Sequence, residues 1–232
     1  ELGVNRPLFG LQSFNIGLLR LLNRKHNPDD SYRAIYYANA LGYGNFGVDL
    51  IFGLPGQSMK MLSKDIDEIV DLDPPHISFY QLTIEPGTVL AQKVASGSLV
   101  LPNQESSMAM YRGGVERFVE AGYQRYEISS LAKPGFECRH NLGYWEGKDY
   151  LGLGPSAHSF MRGQRFANVS DDARYAESLR AGVRPVTMDN SGIDDRMVEA
   201  VMLGLRMAGG IDRRQFALRF GRTLESQIDE KT

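Results

Sequence analysis

The chain has 232 residues, 42% hydrophobic and 23% charged, with 26 Lys and Arg against 28 Asp and Glu and a formal charge of −2. That balance suits an ordinary globular chain of one large domain, or one and a part, and leaves no field strong enough to gather nucleic acid or anionic lipid. A single cysteine, Cys138, excludes an internal disulfide framework and any zinc or iron–sulfur site built from this chain's own cysteines. No run approaches the ~20 apolar residues of a membrane span and no basic start leads into an apolar stretch, so a cytoplasmic protein is expected.

In chain order, Glu1 to Arg6 reads as the tail of a helix entering a strand, and Leu8 to Phe14 as a short buried parallel strand. Asn15 caps a helix carrying Leu18, Leu19, Leu21 and Leu22. Asn27 and Pro28 open a second helix with a stripe of Ala34, Ala38 and Leu41, ended by Gly42. Phe46 to Phe52 is a second strand, with Val48, Leu50 and Phe52 on one face and Asp49 and Ile51 on the other. Gly53-Leu54-Pro55-Gly56 turns the chain, Ser58 starts a helix to about Leu72, and His76 to Thr83 is a third strand. This alternation is the sequence form of parallel βα units, open or closed into a barrel, with function expected at the carboxyl ends of the strands, where Gln12, Asp49 and Thr83 fall.

Beyond Pro86-Gly87 the order is a short helical or extended stretch, a helix from about Gln104 to Ala121, and a fourth strand over Tyr123 to Ile128. Lys133 to Gly163, rich in Gly and aromatics, reads as loops, and from Asp171 helices dominate, with Met197, Val198, Val201, Met202 and Leu205 on one face. The expected domains are 1–165 and a small helical module over 166–232. Ser226 to Thr232 is helix-like with no closing element, so both ends are expected to be cut.

Among candidate residues, Asp49 is a carboxylate inside an apolar strand, where an unpaired charge is expensive. It either accepts the hydroxyls of a ribose or is a structural acid tied to a backbone or Arg partner. Gln12 faces the same side as Gly10, whose missing side chain leaves room for something bulky. Arg24 either meets a carboxylate or is a solvated helix-end cation. Arg139-His140-Asn141-Leu142-Gly143-Tyr144-Trp145 packs a cation, an imidazole, an amide and two aromatics into seven residues, a cluster suited to a planar macrocycle or an axial ligand. His140 is either such a ligand, and then the first candidate for it, or a satisfied structural histidine; His158 and Cys138 stay open.

Several blocks then occur in a telling order. Gly10-Leu11-Gln12-Ser13-Phe14, Leu22-Asn23-Arg24-x-His26 and Val48 to Gln57 are followed by Leu82 to Thr88, Tyr126 to Ser129 and Ala132 to Gly135. Arg139-His140-Asn141-x-x-Tyr144-Trp145 and Asp149 to Ser159 complete the set. Together they resemble the oxygen-independent coproporphyrinogen-III oxidase-like radical S-adenosylmethionine (SAM) family, in its haem chaperone branch. The resemblance covers roughly the first 160 residues, and the helical tail is similar to that family's C-terminal domain.

The resemblance implies the C-terminal part of a partial (β/α)6 TIM-like barrel plus an incomplete helical domain. It implies that Gln12 and Asp49 hold the SAM ribose, that Arg24 meets the SAM carboxylate and that Ile51 and Thr83 line the adenine. It also implies a [4Fe-4S] cluster whose three thiolates lie outside this chain, so that the isolated chain is expected to be inactive. Ser130 and Leu131 stand where the family commonly has Asn and Phe. The function implied first is a chaperone that binds haem and passes it to an acceptor protein. The alternative is the oxidase, which decarboxylates porphyrinogen propionates in porphyrin biosynthesis.

Overall fold

The protein is described by a computed structural model covering residues 3–189 and 191–225; the readings at Glu1, Leu2 and Ser226 to Thr232 lie outside these residues. Contacts divide the chain into two compact units, Glu1–Glu137 and Cys138–Thr232. The expected boundary after residue 165 does not coincide with this division.

In the first unit, β1 (Leu8–Gln12), β2 (Gly47–Phe52) and β3 (His76–Gln81) are parallel neighbours. The ladder of β2 with β3 is in continuous register, Asp49 opposite Ser78 and Ile51 opposite Tyr80. Each strand is followed by helix. Asn15 caps α1 (Ile16–Leu21) by accepting from the Leu18 amide, and Asn27 and Asp30 form a reciprocal cap on α2 (Pro28–Ala40), satisfying amides that have no partner in the first turn. Ser58 caps α3 (Met59–Leu72), whose buried residues Leu62, Asp65, Ile66 and Ile69 recur at helical spacing. The helix stops at Asp73, in the left-handed conformation, before Pro74 and Pro75. Then come α4 (Val89–Ala95) and α5 (Gln104–Glu120).

The alternation along β2 sorts its side chains as the sequence predicts. Val48, Leu50 and Phe52 join Ile77 and Phe79 in the main core, covered by Ile35 and Ala38 of α2, Leu62, Ile66 and Ile69 of α3, and Met110 and Phe118 of α5. Burial of each of these side chains larger than alanine contributes roughly 1.5–3 kcal/mol. Ile51 belongs instead to a second cluster with Leu18 and Leu54, against which Tyr80 and Leu82 pack.

Three expectations are corrected here. The stripe of α2 is Ser31, Ile35 and Ala38; Leu41 is the helix cap and 74% exposed, because the chain is already turning away there. Past the fourth strand, β4 (Gln124–Glu127), the chain folds back as β5 (Ser130–Ala132). That strand inserts antiparallel between β3 and β4, giving the order β1-β2-β3-β5-β4, and three residues are too few for a period-two signal to show in sequence. The stretch expected to be loops contains α6 (Arg139–Trp145) and the first strand of a hairpin.

That hairpin, β6 (His158–Met161) with β7 (Gln164–Asn168), belongs to the second unit and is extended by β8 (Val186–Met188) into a three-stranded antiparallel sheet. The region beyond residue 166 thus carries the end of β7 and the short β8 beside its helices. Its helices are α7 (Asp172–Arg180), α8 (Ile193–Gly204) and α9 (Arg213–Phe220). Met197 of α8 and Phe216 of α9 form a small core with Leu224. Of the face expected on α8, Met197 is buried, while Val198, Met202 and Leu205 are exposed. Among the described residues no helix is long and apolar enough to cross a membrane.

Candidate functional site

The face of the first sheet opposite its main core carries polar groups. Gln12, the last residue of β1, is buried and has φ +66, in the left-handed region that costs a non-glycine residue roughly 1–2 kcal/mol. The β1–β2 register is irregular between Phe9 and Gln12. Arg24 Nη2 donates to Gln12 Oε1 at 2.6 Å, and Gln12 is also hydrogen-bonded to Tyr80 of β3. The space over Gly10 is taken by Gln12 itself: a Cβ there would lie 2.9 Å from its Nε2. Gly10 makes room for the strained amide, which corrects the expectation that it leaves space for a bulkier group.

Asp49 on β2 is half-buried, and burial raises its carboxyl above the usual range, opposed by a hydrogen bond from Ser78 and by the charge of Arg24. Its Oδ1 is buried with no hydrogen-bond partner. Tyr80 is likewise shifted upward, by burial first and then by the charge of Asp49, against the Gln12 hydrogen bond and Arg24. Gln12, Arg24, Asp49, Ser78 and Tyr80 thus form one electrostatic cluster, with Gln12 and Tyr80 toward the carboxyl ends of β1 and β3. Asp49 and Ser78 face each other at mid-strand, which corrects the expectation that Asp49 falls at the carboxyl end of its strand. Chemically it offers an orphan carboxylate acceptor beside a guanidinium, the complement of a hydroxylated ligand that also bears a carboxylate.

The turn that presents Gln12 is fixed from α3. Ser13 Oγ donates to Asp65 Oδ2 at 2.6 Å and the Phe14 amide to Asp65 Oδ1 at 2.8 Å, while burial pushes the Asp65 carboxyl up against those two bonds. His26 Nε2 meets the Leu11 carbonyl at 3.2 Å, tying the loop that carries Arg24 to the same strand. Across the sheet, the Gly53–Gly56 turn is closed by Gln57, whose Oε1 accepts from the Leu54 amide at 3.1 Å.

The other predicted residues stand apart from this cluster in different ways. Ile51 is buried in the second apolar cluster, on the Asp49 face of β2. Thr83 lies two residues past the end of β3, exposed, and none of the cluster's hydrogen bonds reaches it. His140 belongs to the second unit, exposed on α6 with its ring 4.7 Å from that of Tyr144 and edge-on to it. Among the described residues no group of three or more His, Cys, Asp or Glu is placed to hold a metal ion. Sequence reasoning missed Ser78, Tyr80 and Asp65. Asp65 carried a signal, being the one acid on the otherwise apolar stripe of α3; Tyr80 and Ser78 follow from the β2–β3 register alone.

Comparison with known proteins sets these residues in a family. The radical SAM superfamily model matches residues 1–69 and the HemN C-terminal domain model residues 194–230. The chain is 37% identical over 226 residues to the haem chaperone HemW of Bacillus subtilis, covering 97% of this chain and 60% of that protein. It is 43% identical over 156 residues to HemW of Escherichia coli, covering 67% of this chain and 40% of that protein. To the mitochondrial radical S-adenosyl methionine domain-containing protein 1 of Danio rerio it is 34% identical, over 93% of this chain and 51% of that one. The chain therefore spans between two fifths and three fifths of these relatives' lengths. In fold it is similar to the solved Escherichia coli coproporphyrinogen III oxidase HemN, described as a radical SAM enzyme. The TM-score is 0.77 at 20% identity, over 98% of this chain and 55% of that one. The chain thus belongs to the HemN-like radical SAM family, in the branch whose members carry the name haem chaperone.

Proposed function

We propose that this chain is the greater part of a haem chaperone, a cytoplasmic protein that binds haem and hands it to an acceptor protein. The observation that carries the reading is the 37% identity to a named haem chaperone, sustained over 97% of the chain and so through both compact units. The likeness to the oxidase is one of fold, and no residue of the site favours that chemistry over the chaperone reading.

The polar cluster of the first unit fits SAM. Asp49, with an acceptor left over, takes the ribose hydroxyls; Gln12, held in a strained conformation, supports them; Arg24 faces the carboxylate of the amino-acid end. Ile51 supplies apolar surface for the adenine, and Thr83, at the open end of β3, borders it. A [4Fe-4S] cluster is held by thiolates outside this chain. Bound next to that cluster, SAM supplies one-electron chemistry that no side chain can provide. His140, exposed on α6, is the proposed axial ligand of haem.

The test uses the full-length protein with its cluster rebuilt, incubated with haem and, separately, with coproporphyrinogen III, SAM and a reductant. Stable haem uptake without vinyl product is the expected result, and decarboxylation would make the protein an oxidase instead. His140→Ala is expected to shift the Soret band of the haem complex; an unchanged spectrum would remove His140 as the ligand.

A further inference from the structure

The polar cluster of the first unit holds a hydrogen-bond donor and an acceptor that lie on one face of the sheet and do not satisfy each other. Gln12 determines the donor. Its amide has two ends, and Arg24, whose guanidinium can only donate, takes the oxygen at 2.6 Å. The Nε2 end is thereby turned away from Arg24 and sits over Gly10, where a Cβ would stand 2.9 Å from it. In the hydrogen bond with Tyr80 the amide therefore donates and the phenol oxygen accepts, in keeping with the way Gln12 opposes the upward shift of that hydroxyl. A phenol that accepts still has one hydrogen to give, and among the described residues no group takes it from Tyr80.

The acceptor is Asp49. Ser78, opposite it in the β2–β3 ladder, donates to it, yet its Oδ1 is buried with no partner. Tyr80 lies two residues beyond Ser78 on the same face, near enough for the Asp49 charge to act on its hydroxyl. Buried polar groups are paired in folded proteins, so an open donor beside an open acceptor defines the chemistry of what binds there. A hydroxyl meets both demands, accepting from Tyr80 and donating to Asp49. An ether or a carbonyl could only accept, and an ammonium could only donate.

We infer that Tyr80 is a specificity-determining residue of the nucleoside site, giving its hydrogen to the ribose hydroxyl that donates to Asp49. The inference rests on the SAM reading and adds to it a demand for an intact ribose. The Tyr80 ring has a separate task, packing against the apolar cluster of Leu18, Ile51 and Leu54. Tyr80→Phe therefore removes the hydrogen and keeps the packing.

The test is calorimetric titration of the full-length, cluster-loaded protein with S-adenosylhomocysteine, which shares the nucleoside and the amino-acid end of SAM, and with its 2′-deoxy and 3′-deoxy derivatives. The parent protein is expected to bind the intact ligand at least tenfold more tightly than one of the two derivatives. Tyr80→Phe should reduce that preference by about threefold or more, the worth of one neutral hydrogen bond. A tyrosine that served only to hold Gln12 would, on losing its hydroxyl, weaken all three ligands alike. An undiminished preference in a folded Tyr80→Phe protein would thus overturn the role of Tyr80 and leave the SAM reading standing. Equal binding of the three ligands by the parent protein, or no binding of any, would overturn both.

Discussion

At the scale of single residues, the acid on α3 illustrates how a remote side chain sets the site. Asp65 satisfies two donors of the turn that carries Gln12, and both bonds are short. Asp65→Ala strands the Ser13 hydroxyl and the Phe14 amide in a largely dry place, at a cost of about 2–4 kcal/mol. Asp65→Asn, able to accept one bond and donate the other, should lose less. Urea denaturation of the two variants measures the difference, and equal stability of both with the parent protein would contradict the role. His76 gives a prediction in pH. Burial, helped by the Arg6 charge, pushes its pKa from 6.5 down to about 4, and its Nε2 lies 2.8 Å from the Tyr126 hydroxyl. Because the unfolded chain takes up the proton first, stability is complete above about pH 6.5 and falls as pH drops toward 4, by up to about 3 kcal/mol. His76→Phe should flatten that part of the stability profile; an unchanged slope would show that other groups carry it. Of these residues the sequence marks Asp49, because period-two alternation isolates it from Val48 and Leu50. Asp65 and His76 act through partners some 50 residues away, which no local pattern displays.

At the scale of elements, close approach between α5 and β3 decides the packing of the main core. A Cβ at Gly114 would lie 2.5 Å from two carbons of the Phe79 ring, which is 1% exposed and has little freedom to move. Alanine is the better helix former by about 1 kcal/mol, but overpacking a tight core costs roughly 1–3 kcal/mol. The clash should win, so Gly114→Ala is expected to lower the unfolding free energy by about 1 kcal/mol or more; a stabilised variant would mean that α5 can shift outward. The three parallel strands and their helices are legible in sequence because caps such as Asn15, Asn27 and Ser58 are backed by apolar spacing. The antiparallel insertion of β5 and the short β8 are not. Each has three residues, and β5 is held in place by its pairing with His76 to Ser78 rather than by any preference of its own.

At the scale of the whole molecule, each unit contributes a different kind of recognition. The first brings an amide, a guanidinium and an acid together from β1, the loop after α1, and β2, and leaves one carboxylate oxygen unsatisfied. The second surrounds a cavity with aromatic rings. Family membership was legible from the order of short blocks, each of them common by itself. The cavity was not, because its walls come from α6, β6, α8 and α9 and meet only in the fold.

Binding of SAM by the first unit turns most on Asp49, and its direct test is the equilibrium affinity of the full-length, cluster-loaded protein for SAM. Asp49→Ala removes the acceptor for the ribose hydroxyls, and loss of a charge-assisted hydrogen bond of about 1.5–3 kcal/mol corresponds to binding weakened by at least tenfold. Asp49→Asn, with one acceptor oxygen kept, should fall between the two. Equal affinity of Asp49→Ala and the parent protein, with both folded, would contradict the assignment of this polar cluster to SAM.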